Sequence, residues 1–235
     1  MPPAPPPDAA AAAWRRWDLT PKEAVAVQRQ AAASVERADR FGPLRTVCGI
    51  DVAYGVRGRG GIARAAAVLL DLATLAVLAE SVVQIPAAFP YVPGLLTFRE
   101  APAAIAAIEA LPVRPDVLMC DGQGIAHPRR CGVASHLGLA LDLPSVGAAK
   151  SRLCGTHADP PAEAGRWTPL LDGDEIIGAC LRTKTLVRPL FISAGHRVRL
   201  ATAVALVLQC TNRRRLPEPT RLADRLSKHP RRPPG

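Results

Sequence analysis

The sequence predicts an α/β fold, a mixed β-sheet carrying helices on both faces, and three observations predict it. Three apolar runs of strand type come first, Thr46 to Ala53, Ala65 to Asp71 and Leu75 to Gln84, joined by short connections. Helical and strand periodicities then alternate from Pro102 onward. Early strands followed by such alternation require a sheet that is antiparallel at one end and parallel further in, with helices above and below. The 235 residues fit one domain with tails, and 49% hydrophobic and 21% charged residues lie near the globular average.

Residues 1–13 hold five prolines and six alanines with one charge, Asp8. That is too little bulky apolar surface to offset the entropy of ordering, and a disordered tail is expected. Thr20-Pro21-Lys22-Glu23 joins an N-cap, a first-turn proline and a capping-box glutamate, which start a helix running to about Asp39. Thr46 to Ala53 is a buried strand with Asp51 near its end, and the next two strands complete an antiparallel meander. Pro102 suits the first turn of a helix whose Ile105, Ile108 and Leu111 share one face. Val117 to Cys120 is short and wholly apolar, as a central parallel strand is, and ends at Asp121-Gly122.

Cys131 to Leu141 forms a second helix, and Pro144 to Ala149 a strand leading to Lys150. Asp172-Gly173-Asp174 turns a hairpin between Leu170-Leu171 and Glu175 to Leu181. Leu186 to Ile192 is the last strand, and Leu200, Val204, Val207 and Leu208 stripe the last helix. The folded domain is expected over 14–216, leaving 217–235 as a basic, flexible C-terminal tail.

Thirty Lys+Arg against 20 Asp+Glu leave a net charge of +10, and eight of the cations lie from Arg213 to Gly235. The balance points to a polyanionic partner, nucleic acid or an acidic membrane surface. The most apolar stretch, Leu200 to Leu208, falls well short of the roughly 20 residues that span a bilayer. Ala9 to Ala13 is followed rather than preceded by Arg15 and Arg16, unlike a secretory signal. Six cysteines without CxxC spacing are expected as reduced core residues, which suits the cytoplasm.

Two carboxylates, Asp51 and Asp121, each sit where a buried strand ends. Neighbouring parallel strands bring them together, and two close anions call for a raised pKa or a hard divalent cation, commonly Mg²⁺ when the substrate is a phosphodiester. Glu100, just before the Pro102 helix, is placed to add a third. Spacing alone equally allows each acid to cap a turn or a helix.

Longer strings decide between these readings. They are Gly49-Ile50-Asp51-Val52-Ala53-Tyr54, the run from Phe89 to Glu100 containing Pro90-Tyr91-Val92-Pro93-Gly94, Asp121-Gly122-Gln123-Gly124-Ile125-Ala126-His127-Pro128, and Gly147 to Gly155 around Lys150. With Arg182-Thr183-Lys184 and Ser193-Ala194-Gly195-His196-Arg197, they resemble in order the endonuclease V family, from about Trp17 to Leu226.

The resemblance implies a ribonuclease H-like fold and a DNA-repair enzyme in which Mg²⁺, with Mn²⁺ able to substitute, serves cleavage of the second phosphodiester bond 3′ to deoxyinosine. It assigns Asp51, Glu100 and Asp121 as metal ligands, and Lys150 and His196 as catalytic neighbours of the metal. It assigns Tyr91 as a wedge entering the duplex beside an extruded base, Gly94, Leu96 and Gly122 as the lining of the base pocket, and His127 as a DNA contact. Without it, Lys150 is a surface lysine, Tyr91 packs its own turn and His127 stabilises one. Two departures stand out: Gln123 where the family carries His or Asn, and Ala194 in place of the usual proline, which would loosen the loop aiming His196. The partner implied is deoxyinosine-containing DNA, met by a monomer without a membrane. The alternatives are an inosine-directed ribonuclease of the same fold and a non-catalytic nucleic-acid-binding protein.

Overall fold

The computed structural model describes residues 9–54 and 61–229. In chain order its elements are α1 (Ala9–Ala12), α2 (Pro21–Ser34), β1 (Thr46–Tyr54), β2 (Ile62–Asp71), β3 (Val77–Pro86), α3 (Leu96–Glu109), β4 (Val117–Cys120), α4 (Val133–Leu141), β5 (Ser145–Ala149), β6 (Trp167–Asp172), β7 (Glu175–Leu181), β8 (Leu190–His196), α5 (Leu200–Gln209) and α6 (Glu218–Lys228). The strands form one mixed sheet in the order β3-β2-β1-β4-β5-β8-β7-β6. β1, β2 and β3 are the expected antiparallel meander, while β1–β4 and β4–β5 are parallel.

Alternation along the central strands sends side chains to two cores. Val47, Met119, Val146 and Ile192 pack with α5 and α6, whereas Cys48, Ile50, Leu118 and Cys120 pack with α3 and α4. Strands buried on both faces need apolar residues at every position, which is why β4 is the unbroken run Val117 to Cys120. α2 lies outside α3 and α4, where Ala24 and Val27 meet Phe89, Leu95 and Phe98. The six cysteines are unpaired, and all but Cys154 are buried.

Several boundaries differ from expectation, each for a tertiary reason. The capping box at Thr20 and Glu23 is present, but α2 stops at Ser34 instead of near Asp39. Beyond it the chain bonds to the end of β8: the Arg197 amide donates to the Glu36 carbonyl at 2.7 Å, and the Arg199 amide to Asp39 Oδ1 at 2.9 Å. α3 begins at Leu96, so Glu100 and Pro102 lie inside it rather than before it and in its first turn. The proline withholds one backbone donor, a local loss that burial of Ala101, Ala104, Ile105 and Ile108 outweighs. The last strand is Leu190–His196, shifted from Leu186 to Ile192.

Both tails need correction. Residues 9–12 of the expected disordered segment are helical, with Ala11 buried against the body; residues 1–8 lie outside the described residues. Most of the expected flexible segment 217–235 is the helix α6, docked on β1 and β2 with Ala223, Leu226 and Ser227 buried, and only 230–235 lie outside the described residues. Its docking is unusually close, because a Cβ on Gly49 would sit 2.0 Å from the Pro219 carbonyl oxygen.

Candidate active site

Sheet register builds the site. Ile50 pairs with Cys120 on the parallel β1–β4 ladder, so the next residues, Asp51 and Asp121, stand side by side where that ladder ends. β5 runs alongside β4 and delivers Lys150 to the same end. The third close carboxylate comes from α6: Asp51, Asp121 and Asp224 each offer an oxygen, all within 4.8 Å of one another. Glu100 is outside that group. It approaches from the α3 face, lining with Asp51 and Asp121 a small adjoining cavity of about 80 Å³.

Hydrogen bonds hold the acids in place. Lys150 Nζ lies 2.5 Å from Asp121 Oδ2 and 2.8 Å from Asp224 Oδ1, and Lys228 Nζ is also 2.8 Å from Asp224 Oδ1. The buried Ser227 hydroxyl donates to Asp51 Oδ2 at 2.5 Å. Burial raises the pKa of Asp51, and the neighbouring Asp121 and Asp224 add to the rise against the Ser227 bond. Burial, then Asp51 and Asp121, pushes Glu100 up to about 8. Burial works against the Lys150 ammonium, but its bonds to Asp121 and Asp224 prevail and raise its pKa. Burial likewise opposes ionisation of Asp224, and Lys150 and Lys228 prevail to lower its pKa. Asp51 and Glu100, whose protonation is favoured by burial and by neighbouring carboxylates, stand in a setting that suits a hard divalent cation, which relieves such repulsion and prefers oxygen donors.

Beside the acids opens a cavity of about 380 Å³ lined by Tyr91, Gly94, Leu96, Asp121, Gly122, Gln123, His127 and Lys150. Tyr91 is 71% exposed at its rim. Gln123 is held by its Nε2, which donates to the Ser151 carbonyl at 2.9 Å. The structure therefore gathers Asp51, Glu100, Asp121, Lys150, Tyr91, Gly94, Leu96, Gly122 and His127 around two adjoining cavities.

His196 is elsewhere. It pairs with Ser145 at the start of β5, whereas Lys150 follows its end, a separation of roughly 16 Å at about 3.3 Å per residue. Its Nδ1 accepts from the Glu36 amide at 3.2 Å, so it fastens the segment after α2 rather than standing beside a metal. Ala194 lies within β8, opposite Val146, and so cannot loosen a loop. His127 is 3% exposed with both nitrogens engaged: Nδ1 accepts from the Arg129 amide and Nε2 donates to the Gly94 carbonyl. Burial first, then Arg129, lowers its pKa to about 4, so it supports the cavity wall as a neutral ring instead of reaching out as a cation.

Asp224 and Ser227 were missed by sequence reasoning because their segment looked like a charged tail. The signal was available: Thr220, Ala223 and Leu226-Ser227 recur at helical spacing among the charges.

Comparison with known proteins agrees with this geometry. The sequence pattern of the endonuclease V family matches residues 29–225. Endonuclease V of Azotobacter vinelandii is 54% identical over 211 residues, covering 90% of this chain and 95% of that one. The endonuclease V structure from Streptomyces avermitilis, 46% identical, gives a TM-score of 0.85 over 90% of this chain and 93% of that one. Ciona intestinalis endonuclease V, in complex with a 24mer DNA containing an inosine followed by a ribo-adenosine, is 26% identical with a TM-score of 0.75, over 88% of this chain and 95% of that one. With its family pattern matched across the sheet and the close carboxylates, and whole-length relatives at this identity, the chain belongs to the endonuclease V family.

Proposed function

We propose that the chain is a Mg²⁺-dependent DNA-repair endonuclease that recognises deoxyinosine and hydrolyses the second phosphodiester bond 3′ to it. The observation carrying this reading is the group Asp51, Asp121 and Asp224, of which Asp121 also lines the cavity of about 380 Å³, a space large enough for a purine base. A divalent cation held by these three, with Glu100 contributing from the α3 face and Mn²⁺ able to substitute, would activate water and neutralise charge on the scissile phosphate.

The chain's own residues do the rest. Tyr91 enters the base stack, and Gly94, Leu96 and Gly122 wall the pocket into which the extruded base turns. Lys150, already beside Asp121, presents its ammonium to the phosphate's growing charge. Ser227 keeps Asp51 oriented. The active form we propose is a monomer. The six unpaired cysteines support a reducing compartment such as the cytoplasm. No helix among the described residues is long and apolar enough to cross a membrane.

The ribo-adenosine in the strand bound by the Ciona protein makes inosine-containing RNA the second substrate to test. Matched DNA and RNA strands with one inosine, end-labelled and incubated with Mg²⁺ or EDTA, check the reading. Mg²⁺-dependent cutting of the DNA at the second 3′ bond is expected. Equal cutting of inosine-free DNA, or undiminished cutting in EDTA, overturns it, and cutting of the RNA alone transfers the assignment to RNA.

A further inference from the structure

The carbonyl of Gly94 is a convergence point. Gln28 of α2, fully buried, donates to it through Nε2 at 3.2 Å; His127 Nε2 lies at 3.0 Å; Arg129 Nη2 donates at 2.7 Å. These three are braced against one another. Arg129 Nε donates to Gln28 Oε1 at 2.5 Å, and the Arg129 amide donates to His127 Nδ1 at 3.1 Å. Gln28 Nε2 spends its other hydrogen on the Cys131 carbonyl at 2.6 Å. Every polar atom of the Gln28 side chain is thus committed, and one carbonyl with two lone pairs receives three donors.

What this convergence holds is the loop bearing Tyr91. The Leu95 amide donates to the Val92 carbonyl at 2.9 Å, and Gly94 has φ of 78°, the turn geometry in which Pro93 and Gly94 occupy the two central positions. A Cβ on Gly94 would come within 2.7 Å of Arg129 Nη2 and push that guanidinium off the carbonyl, and φ of 78° favours glycine as well. Tyr91 projects from this fixed turn with 71% of its surface exposed. A ring this exposed depends chiefly on its backbone for its direction.

We propose that Gln28, His127 and Arg129 are positioning residues that hold the Tyr91 loop in its duplex-entering conformation before DNA arrives. The inference rests on Tyr91 acting as the wedge. Holding the loop in advance removes the ordering cost that binding would otherwise carry, so that binding energy goes to separating the bases. Arg129 is the informative position, because it is only half-buried and the rival explanation, a plain phosphate contact, makes the opposite forecast for lysine.

The test is a double-mutant cycle. Cleavage of deoxyinosine in a duplex and in a single strand is measured under single-turnover conditions for Arg129→Ala and Arg129→Lys, each with Tyr91 intact and with Tyr91→Ala. Tyr91→Ala is expected to lower the duplex-to-single-strand ratio roughly tenfold. Arg129→Ala should lower it roughly two- to tenfold when Tyr91 is present and leave it unmoved when Tyr91 is absent, the coupling expected of groups in one network. Lysine should fail to rescue, since one ammonium cannot reproduce a fork reaching Gly94 and Gln28 together. Equal losses in both backgrounds, or rescue by lysine, overturn the clamp while leaving the wedge standing. An unchanged ratio in Tyr91→Ala alone overturns the wedge and the clamp with it.

Discussion

Ser227 shows how much one hydroxyl can carry. It is fully buried, and its bond to Asp51 Oδ2 fixes the carboxylate against the repulsion of Asp121 and Asp224. Partners of metal ligands typically contribute about 10–100-fold to metal affinity. Ser227→Ala should therefore raise the Mg²⁺ concentration for half-maximal cleavage by at least roughly tenfold, read from a metal titration, while saturating Mg²⁺ restores most of the rate. An unshifted titration would reduce Ser227 to packing. Asp224→Asn tests the carboxylate itself: it keeps size and hydrogen bonding but loses the charge. Nicking should fall by about a hundredfold or more while binding of inosine-containing DNA, measured in EDTA, persists. Retention of nearly full Mg²⁺-dependent activity would remove Asp224 from the site.

At the scale of elements, α6 is the piece that joins stability to activity. Its first turn lies against β1 with no room for a side chain at Gly49. Backbone on backbone cannot yield as a flexible side chain does, so Gly49→Ala must shift the helix, at a cost of about 1–3 kcal/mol or more. Urea unfolding should show that loss, and cleavage should fall with it because Asp224 and Ser227 ride on the displaced helix. Full activity at reduced stability would separate the two. The same helix marks where sequence reasoning stopped. β4 and the Thr20 capping box were legible because local chemistry alone dictates them, through an unbroken apolar run and a reciprocal side-chain cap. α6 was not, because Arg221, Arg225 and Lys228 dominate its composition and its narrow buried stripe acquires meaning only against β1 and β2. The carboxylates Asp51, on β1, and Asp121, just after β4, were legible as close neighbours, whereas His196 was misplaced because only the antiparallel pairing of β8 with β5 reveals which end of the sheet it occupies.

For the whole molecule, acid sensitivity has an identifiable contributor in His136. It is fully buried between Trp17 and Phe98, with Nε2 at 2.8 Å from the Trp14 carbonyl, and burial lowers its pKa from 6.5 to about 4. The folded state thus favours the neutral ring, so its contribution is complete above about pH 6.5 and is lost as pH falls toward 4. Glu100, raised to about 8, acts in the opposite direction, and the total stability curve mixes the two. Comparison with His136→Phe in EDTA isolates the histidine. Relative to that variant, the wild type should lose about 1.4 kcal/mol per pH unit across this window in urea titrations. A constant difference from pH 7 to 4.5 would reject the assignment.

The bond between Ser227 and Asp51 joins residues 176 positions apart. A ribosome adding about 5–20 residues per second needs roughly 9–35 seconds to make the intervening chain. Throughout that interval the nascent polypeptide already exposes Asp51, and later Asp121, yet it lacks the helix that completes the carboxylate group. Completion of the carboxylate group therefore waits on α6, and a product terminated before it would lack both Asp224 and the Ser227 bond to Asp51.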